Sequence, residues 1–220
     1  MSFDTLAPHY HWMEWLFAGN KLQRCRTAFL DRIRAPKNTL IFGEGNGRFL
    51  VEFCHQFPYS KITLVDISEG MLNQTRHRLK RAGLDEQNIT FIQADALEWI
   101  PPTQAFDLIV TCFFLDCFQK SELELLIPKI SQAATPKAEW LGADYCIAES
   151  GFSRFRSKLI VSFLYAVFGQ ATHIKARSIV NPAPLLQKEG FKRHQREEID
   201  FGMLYSEWWI REPSTLHSPS

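Results

Sequence analysis

The sequence predicts a single doubly wound α/β domain built on a mostly parallel, seven-stranded sheet. Three observations predict it. Short apolar segments alternate with amphipathic helical segments along the chain, and most of the apolar segments have no polar face. Strands that are apolar on both faces suit a parallel sheet covered by helices on each side. One such strand also runs straight into a glycine-rich turn and a helix, a connection at which these folds bind ligands.

The predicted elements follow in regular order. The N-terminal residues 1–36 are expected to form a helical lid, in which a helix over 20–33 ends before Pro36. A capping box of Ser121 and Glu124 is expected to open the last helix before the fifth strand. Residues 150–184 then interrupt the alternation as a helical cap insert, with a helix over 158–168 and a loop through Pro184. The seven strands are predicted at 39–42, 61–65, 89–93, 106–111, 140–144, 191–195 and 203–209, and helices at 48–57 and 69–82 separate the first three.

Composition and charge narrow the class of protein. The chain has 220 residues, of which 45% are apolar, enough to bury the core of one domain. A net charge of +1 provides no overall field to attract nucleic acid, so no nucleic-acid partner is expected. The five cysteines include no Cys-x-x-Cys pair, and we predict neither a disulfide framework nor a metal site.

The ends of the chain and its longest apolar run bear on localisation. The opening MSFDTLAPHYHW lacks the features of a secretory signal, so a cytoplasmic location is expected. The apolar run 159–168 is about half of the roughly 20 residues needed to cross a bilayer. Residues 213–220 are predicted to be a disordered tail after a domain that spans 1–212.

The glycine-rich turn is the first candidate for a ligand site. Gly43, Gly45 and Gly47 let the backbone adopt positive φ and approach a ligand, and the helix that follows offers free N–H groups. Arg48 occupies the position where a dinucleotide fingerprint needs its third glycine, so a nicotinamide-dependent oxidoreductase is the weaker alternative. Glycine also serves such turns for structural reasons alone.

Two aspartates follow the next two strands. Asp66 ends the second strand, where a carboxylate can accept hydrogen bonds from both ribose hydroxyls. Its alternative role is a favourable interaction with the next helix, although Ser68 already offers a cap there. Asp95 follows the third strand and can accept from an adenine amine, or it is a solvated loop residue. Because the ends of parallel strands share one edge of the sheet, the turn and both aspartates converge on one crevice.

With these residues, the segments GEGNGRF, LVDISEGML, FIQADALEW and FDLIVTCFFLDCF resemble the class I methyltransferases that use S-adenosylmethionine (SAM), over nearly the whole chain. The resemblance implies their fold, SAM as cofactor and S-adenosylhomocysteine (SAH) as its product. It implies that Gly43, Gly45 and Gly47 line the methionine part of SAM and that Asp66 holds the ribose. It further implies that Ile67 packs on adenine, Asp95 takes the adenine amino group and the Ala96 N–H meets the ring; Cys112 completes the predicted cofactor set.

One position departs from that family. Many relatives carry an acidic residue two positions before the first glycine, where this chain has Ile41. We expect Glu44, inside the turn, to contact the methionine ammonium instead. This substitution is a hypothesis.

The first residues also resemble a particular branch of the family. The pattern from Phe3 to Tyr10 is similar to the FDxxAxxYD opening of the ubiquinone/menaquinone C-methyltransferases, with His11 where the last Asp is expected. The resemblance implies that Tyr10 is a lid and catalytic residue. The alternative is a core aromatic that clusters with Trp12 and Trp15.

The methyl acceptor is expected beyond the fourth and fifth strands. Methyl transfer depends mainly on alignment and exclusion of water, and an alcohol acceptor also needs a base. Asp116 and Asp144 are the candidate catalytic residues there, although Asp116 serves equally well as a helix cap. The predicted substrate residues are Phe113, Phe114 and Tyr145.

Together these features predict a methyltransferase that acts on a small, apolar or quinone-like molecule. A small thiol as acceptor, or a SAM-binding regulatory protein without turnover, are the alternatives. The segment 153–168 is basic and then apolar, which favours a cover over an apolar substrate. A weak contact with a membrane surface is the other interpretation of this segment.

Overall fold

The computed structural model describes residues 20–147, 150–151, 154–157, 159–160 and 179–212. The predicted lid residue Tyr10, the tail 213–220 and the middle of the predicted cap insert, 161–178, lie outside these described residues. The helices are α1 (Lys21–Thr27), α2 (Arg48–Gln56), α3 (Glu69–Arg81), α4 (Lys120–Ala133) and α5 (Ala183–Lys188). The strands are β1 (Asn38–Phe42), β2 (Lys61–Asp66), β3 (Ile89–Gln93), β4 (Phe106–Cys112), β5 (Ala134–Tyr145), β6 (Phe191–Ile199) and β7 (Leu204–Arg211).

The seven strands form one sheet in the order β3-β2-β1-β4-β5-β7-β6. Strands β1 to β5 are parallel, whereas β7 runs antiparallel to both β5 and β6. The chain moves outward from β1 to β3 and then places β4 on the other side of β1. Ligands bind at this change of direction, outside the carboxyl ends of the strands. The predicted doubly wound α/β fold is confirmed.

Each face of the sheet carries its own apolar core. Ile41 of β1 belongs to the core that includes residues of α1, α2 and α3. Its neighbours Leu40 and Phe42 belong to the opposite core, which includes residues of α4 and α5. Because side chains alternate between the two faces of a strand, a strand buried on both sides is apolar at every position. This is why Leu40, Ile41 and Phe42 form an unbroken apolar run in the sequence.

Several predicted boundaries are wrong. The capping box of α4 consists of Gln119 and Glu122, not Ser121 and Glu124, because the Gln119 amide fills the role that the motif reserves for a hydroxyl. Strand β5 begins at Ala134 and not at residue 140, because Ala134 already pairs with Phe106 of β4.

Two helices also differ from their predicted extent. Helix α1 ends at Thr27, and turns occupy the rest of the predicted segment 20–33. Helix α5 replaces part of the predicted loop. Its start is stabilised by the side chain of Asn181, whose Oδ1 accepts the Ala183 N–H at 3.0 Å, and Pro184 is tolerated in its first turn.

Arg211, at the end of β7, closes the carboxyl end of α4. Its guanidinium donates to the carbonyl oxygens of Ser131 and Ala134, both at 2.9 Å, and to the Ser131 hydroxyl at 3.0 Å. The Ser131 carbonyl also accepts the N–H of Ala134, the C-cap residue, and a cation at a helix C-terminus is favourable.

We therefore predict that Arg211→Met lowers the free energy of unfolding by about 1.5–3 kcal/mol, the range for hydrogen bonds to a charged group. Urea unfolding measures it. The matched control is Lys192→Met, which removes an exposed ion pair with Glu212 and should cost less than about 1 kcal/mol. Equal effects of the two substitutions would contradict this role for Arg211.

Candidate active site

The turn between β1 and α2 places backbone at the rim of the sheet. Gly43, Gly45 and Gly47 have φ values of +61°, +69° and +81°, in the left-handed region. A Cβ on Gly43 would lie 2.6 Å from Cδ2 of Phe114, and one on Gly47 would lie 3.0 Å from the Thr75 Cα. The first and last glycines are therefore required by both conformation and space.

Helix α3 holds this turn in place. The Thr75 hydroxyl donates to the Gly45 carbonyl at 3.1 Å, and the Arg78 guanidinium donates to the Asn46 carbonyl at 2.6 Å. Two carbonyls of the turn are thus bound by the protein. Neither Thr75 nor Arg78 was predicted from the sequence to hold the turn. Their spacing of three residues, on one face of a predicted helix, was the available signal.

Glu44 lies inside the turn and is only 5% exposed. Its Oε1 accepts the backbone N–H of Leu50 at 3.0 Å, in the first turn of α2. A carboxylate is favourable at that end of a helix. Glu44 therefore has a structural contact that the sequence analysis did not foresee, and its predicted contact with the methionine ammonium stays a prediction.

Asp66 ends β2 next to the turn. Its Oδ1 accepts the Ser68 N–H at 2.9 Å, while Ser68 itself caps α3 by accepting the Met71 N–H at 3.1 Å. The cap of α3 is thus the serine, as expected, and not the aspartate. Ile67 beside it is 52% exposed, which leaves an apolar side chain at the rim for a flat ligand.

The next rim position is occupied by Asp95 and Ala96. Asp95 is exposed, and its Oδ1 accepts the Leu97 N–H at 2.8 Å in a local turn. Ala96 is buried. On the other side of β1, Cys112 ends β4 and is also buried; burial raises the pKa of its thiol well above the usual value, so the thiol is neutral.

Two carboxyl groups meet beyond β4 and β5. Asp116 follows β4 in a short 3-10 turn (Leu115–Cys117), and Asp144 lies near the end of β5. Their side chains are hydrogen-bonded to each other. Backbone groups of Phe114 and Asp116 also hydrogen-bond to Asp144, which is 3% exposed. The structure thus brings together Asp116 and Asp144, which the sequence predicted as separate candidate catalytic residues.

This pair shares a proton. Burial raises the pKa of Asp116 to about 6, although hydrogen bonds from Asp144 and Cys117 oppose the shift. Burial and the neighbouring Asp116 charge raise the pKa of Asp144 further, well above its usual value. Because burial disfavours two adjacent charges, the pair favours a state in which the two carboxyls hold one proton between them. Oδ1 of Asp144 is buried and has no hydrogen-bond partner among the residues that the structure describes.

The predicted substrate residues separate onto two faces. The rings of Phe113 and Tyr145 lie 5.2 Å apart, on the same face as α1. Phe114 instead packs beneath the glycine turn in the opposite core, with its ring 5.3 Å from that of Phe42. Phe113 has a φ of +55°, an uncommon conformation for a bulky residue, and its N–H donates to the Ala143 carbonyl at 2.6 Å.

Comparison with known proteins identifies the family. Residues 40–137 match the family described as "Methyltransferase domain". A demethylmenaquinone methyltransferase of Porphyromonas gingivalis is 30% identical over 126 residues, which cover 56% of this chain and 51% of that protein. The ubiquinone/menaquinone biosynthesis C-methyltransferase UbiE of Ectopseudomonas oleovorans is 32% identical over 116 residues, which cover 51% of this chain and 68% of the relative. The chain belongs to the class I SAM-dependent methyltransferases. It spans about half the length of the demethylmenaquinone methyltransferases that it matches.

Solved structures agree with this family's fold. The 1,6-didemethyltoxoflavin-N1-methyltransferase of Burkholderia thailandensis, bound to its substrate and SAH, superposes with a TM-score of 0.64 at 16% identity. The superposition covers 96% of this chain and 85% of that one. An O-methyltransferase family 2 protein of Planctomyces limnophilus, in complex with apigenin, gives a TM-score of 0.71 at 13% identity, over 93% and 61% of the two chains.

The cofactor of this family is SAM, and the side chains at the rim suit its chemistry. A turn with three glycines at positive φ, a carboxylate at the end of β2 and an exposed apolar side chain after it stand in a row. Within the described residues, no group of three His, Cys, Asp or Glu side chains suits a metal ion. No helix in that part of the chain is long and apolar enough to span a membrane.

Gly43→Ala tests whether the shape of the glycine turn is needed for cofactor binding. The substitution places a Cβ against Phe114 at positive φ, so we expect a loss of about 1–3 kcal/mol in unfolding free energy. We also expect at least a tenfold loss in affinity for SAH, measured by calorimetry.

The control is Gly83→Ala, after α3. Gly83 has a φ of +72° but no atom within 4 Å of an added Cβ. It should cost about 1 kcal/mol and leave SAH affinity unchanged. Normal SAH affinity in Gly43→Ala would show that the turn does not hold the cofactor.

Proposed function

We propose that this chain transfers the methyl group of SAM to a small, apolar molecule, with a quinone-like ring as the acceptor. The observation that carries the proposal is the arrangement on one rim of the glycine turn, Asp66 and the proton-sharing Asp116–Asp144 pair. The first two features suit an adenosyl amino acid. The pair lies where the family places the acceptor, at the carboxyl ends of β4 and β5.

The strand order favours one placement of the cofactor. Strand β2 lies between β3 and β1, so Asp66 stands between the Asp95 loop and the glycine turn. We assign the ribose to Asp66, adenine to Ile67 with Asp95 and Ala96, and the methionine part to the turn beside Cys112. This order points the sulfonium toward the end of β4, next to the two carboxyls.

The surroundings of the site favour an apolar acceptor. Phe113 and Tyr145 provide aromatic surface on one side. The turn between β6 and β7 reaches the same rim, because Leu204 of β7 pairs with Tyr145 of β5. Phe201 in this turn is 79% exposed with φ at +57°, and Arg156 lies 6.0 Å from its ring. Holding a bulky side chain in that conformation costs of order 1–3 kcal/mol, which is typical of functional positions. The weak membrane contact expected from 153–168 falls largely outside the described residues and stays a prediction.

The carboxyl pair supplies the proton chemistry. SAM, when bound, supplies an electrophilic methyl group on a sulfonium. In this proposal, ionised Asp116 accepts the proton that an acceptor oxygen or ring carbon loses on methylation, while the electron pair of the broken methyl–sulfur bond stays with SAH. Protonated Asp144 donates a hydrogen bond to Asp116, so it holds the base in place and stabilises its charge. An acceptor that is already a thiolate would not need this base.

Turnover of SAM to SAH over a panel of acceptors tests the proposal. The panel contains a reduced naphthoquinone, a catechol and a small thiol, and mass spectrometry of the product locates the new methyl group. We expect methylation of the first class. Binding of SAM without turnover of any acceptor would favour the regulatory alternative, and methylation of the thiol alone would favour the thiol alternative.

We predict that Asp66→Ala raises the Kd for SAH at least tenfold by removing the ribose ligand. Calorimetric titration of the purified chain measures it. The control is Asp85→Ala, in the exposed turn after α3, where the carboxylate accepts only the Gln87 N–H among the described contacts. Unchanged SAH affinity in Asp66→Ala would overturn the ribose assignment.

The pair also predicts a pH dependence. Asp116 is the base only when ionised, so kcat/KM should rise with pH up to about 6 and then level off. Asp116→Asn should lower kcat/KM by about 10²–10⁴-fold and abolish this limb. Asp144→Asn keeps a hydrogen-bond donor to Asp116, so the kcat/KM of this variant should still rise with pH up to about 6. The thiols of Cys117 and Cys25 and the Tyr205 hydroxyl surround the pair but are neutral at this pH.

Stability gives the same experiment an independent readout. The pKa of Asp116 is raised above its unfolded value, so the stability that protonation provides is present below about pH 4 and lost as pH rises through 6. Asp116→Asn should therefore gain stability over wild type at pH 8 but not at pH 4. An Asp116→Asn variant that keeps the wild-type kcat/KM would exclude Asp116 as the base.

A further inference from the structure

Arg26 is a buried cation at the rim of the sheet. It lies in the last turn of α1 and is only 5% exposed. Its guanidinium carbon lies 5.0 Å from the centre of the Phe113 ring. Phe113 directly follows Cys112, the last residue of β4. The charge of Arg26 therefore reaches the carboxyl end of β4, although the helix that carries it precedes the sheet.

The same place holds a buried anion. Phe42 pairs with Thr111, so the glycine turn that follows β1 stands beside Cys112. Burial mainly raises the pKa of the Cys112 thiol; the charge of Arg26 lowers it and that of Glu44 raises it again. Arg26 reaches this place from α1 through its contact with Phe113, and Glu44 is buried in the turn itself.

The amino-acid end of SAM carries both an ammonium and a carboxylate. Arginine is the side chain best suited to a carboxylate, because its planar guanidinium donates two parallel hydrogen bonds. A cation and an anion beside the glycine turn match the two charges of that zwitterion.

We infer that Arg26 binds the carboxylate of the methionine part of SAM, opposite Glu44. This inference rests on the proposed function and adds a cofactor-binding residue outside the strand-end motifs. Stacking of Arg26 on Phe113 orients the guanidinium and couples α1 to the end of β4. The occupied methionine site and the packing of α1 are thereby linked.

The test compares two nucleosides that differ at the amino-acid end. SAH carries the carboxylate, whereas 5′-methylthioadenosine has the same adenosyl thioether without it. We expect Arg26→Gln to weaken SAH binding about 10- to 100-fold and to change the affinity for methylthioadenosine less than threefold. Arg26→Lys should recover part of the SAH affinity, because lysine restores the positive charge but not the two parallel hydrogen-bond donors of the guanidinium. Competition calorimetry on the full chain measures all Kd values.

Arg24→Gln is the matched control. Arg24 lies two residues earlier on α1, its side chain is 72% exposed, and it pairs with Glu197 at 3.5 Å. It should leave both affinities unchanged. Equal losses for SAH and methylthioadenosine in Arg26→Gln would assign Arg26 a packing role and overturn the inference, as would unchanged SAH affinity.

Thermal unfolding of each variant separates loss of binding from loss of folding. If Arg26→Gln is unfolded, the comparison rests on Arg26→Lys. In that variant the Kd for SAH must still rise more than the Kd for methylthioadenosine. Wild-type chain that binds neither nucleoside would defeat the proposed function itself. Wild-type chain that binds SAH while Arg26 variants keep its selectivity would defeat only the inference on Arg26.

Discussion

The candidate site depends on how the backbone leaves β1. Gly43, Gly45 and Gly47 have left-handed backbone conformations, which reverse the chain over a short distance and lead it into α2. Phe114 packs against Gly43 from below, and Thr75 and Arg78 hold the carbonyls of Gly45 and Asn46 from α3. Because the turn is held by two elements of the scaffold, its shape does not require a ligand. A preformed backbone cradle reduces the ordering cost of binding.

The carboxyl pair shows a different balance between stability and function. Placing Asp144 in a dry environment next to Asp116 is unfavourable for both ionised forms, and sharing one proton relieves only part of that cost. Two apolar side chains would pack there at less cost. A carboxyl with its pKa near 6 is, however, matched to accepting a proton near neutral pH. The pair is thus the kind of local instability that active sites retain.

The sheet brings these features together because its change of direction lies between β1 and β4. In the proposed placement, the residues after β1, β2 and β3 face the nucleoside, whereas those after β4 and β5 face the acceptor. The antiparallel β7 adds the exposed Phe201 turn to that second half. The proposed acceptor side therefore combines parts of the chain that are far apart in sequence.

The sequence by itself determined the sheet, the glycine turn and the position of the aspartates that we propose for nucleoside binding. Strands such as β1 and β4 are buried on both faces, so their apolar runs are visible without a structure, and the glycines and Asp66 directly follow strands. It did not determine the start of α4, because a glutamine can cap a helix where the motif calls for a hydroxyl. Only the tertiary structure decided that Asp116 and Asp144 lie together as a buried pair, that Phe114 lies under the turn and that Arg26 reaches the end of β4. These contacts are set by strand pairing and by packing between faces of the sheet, and neither leaves a local pattern in the chain.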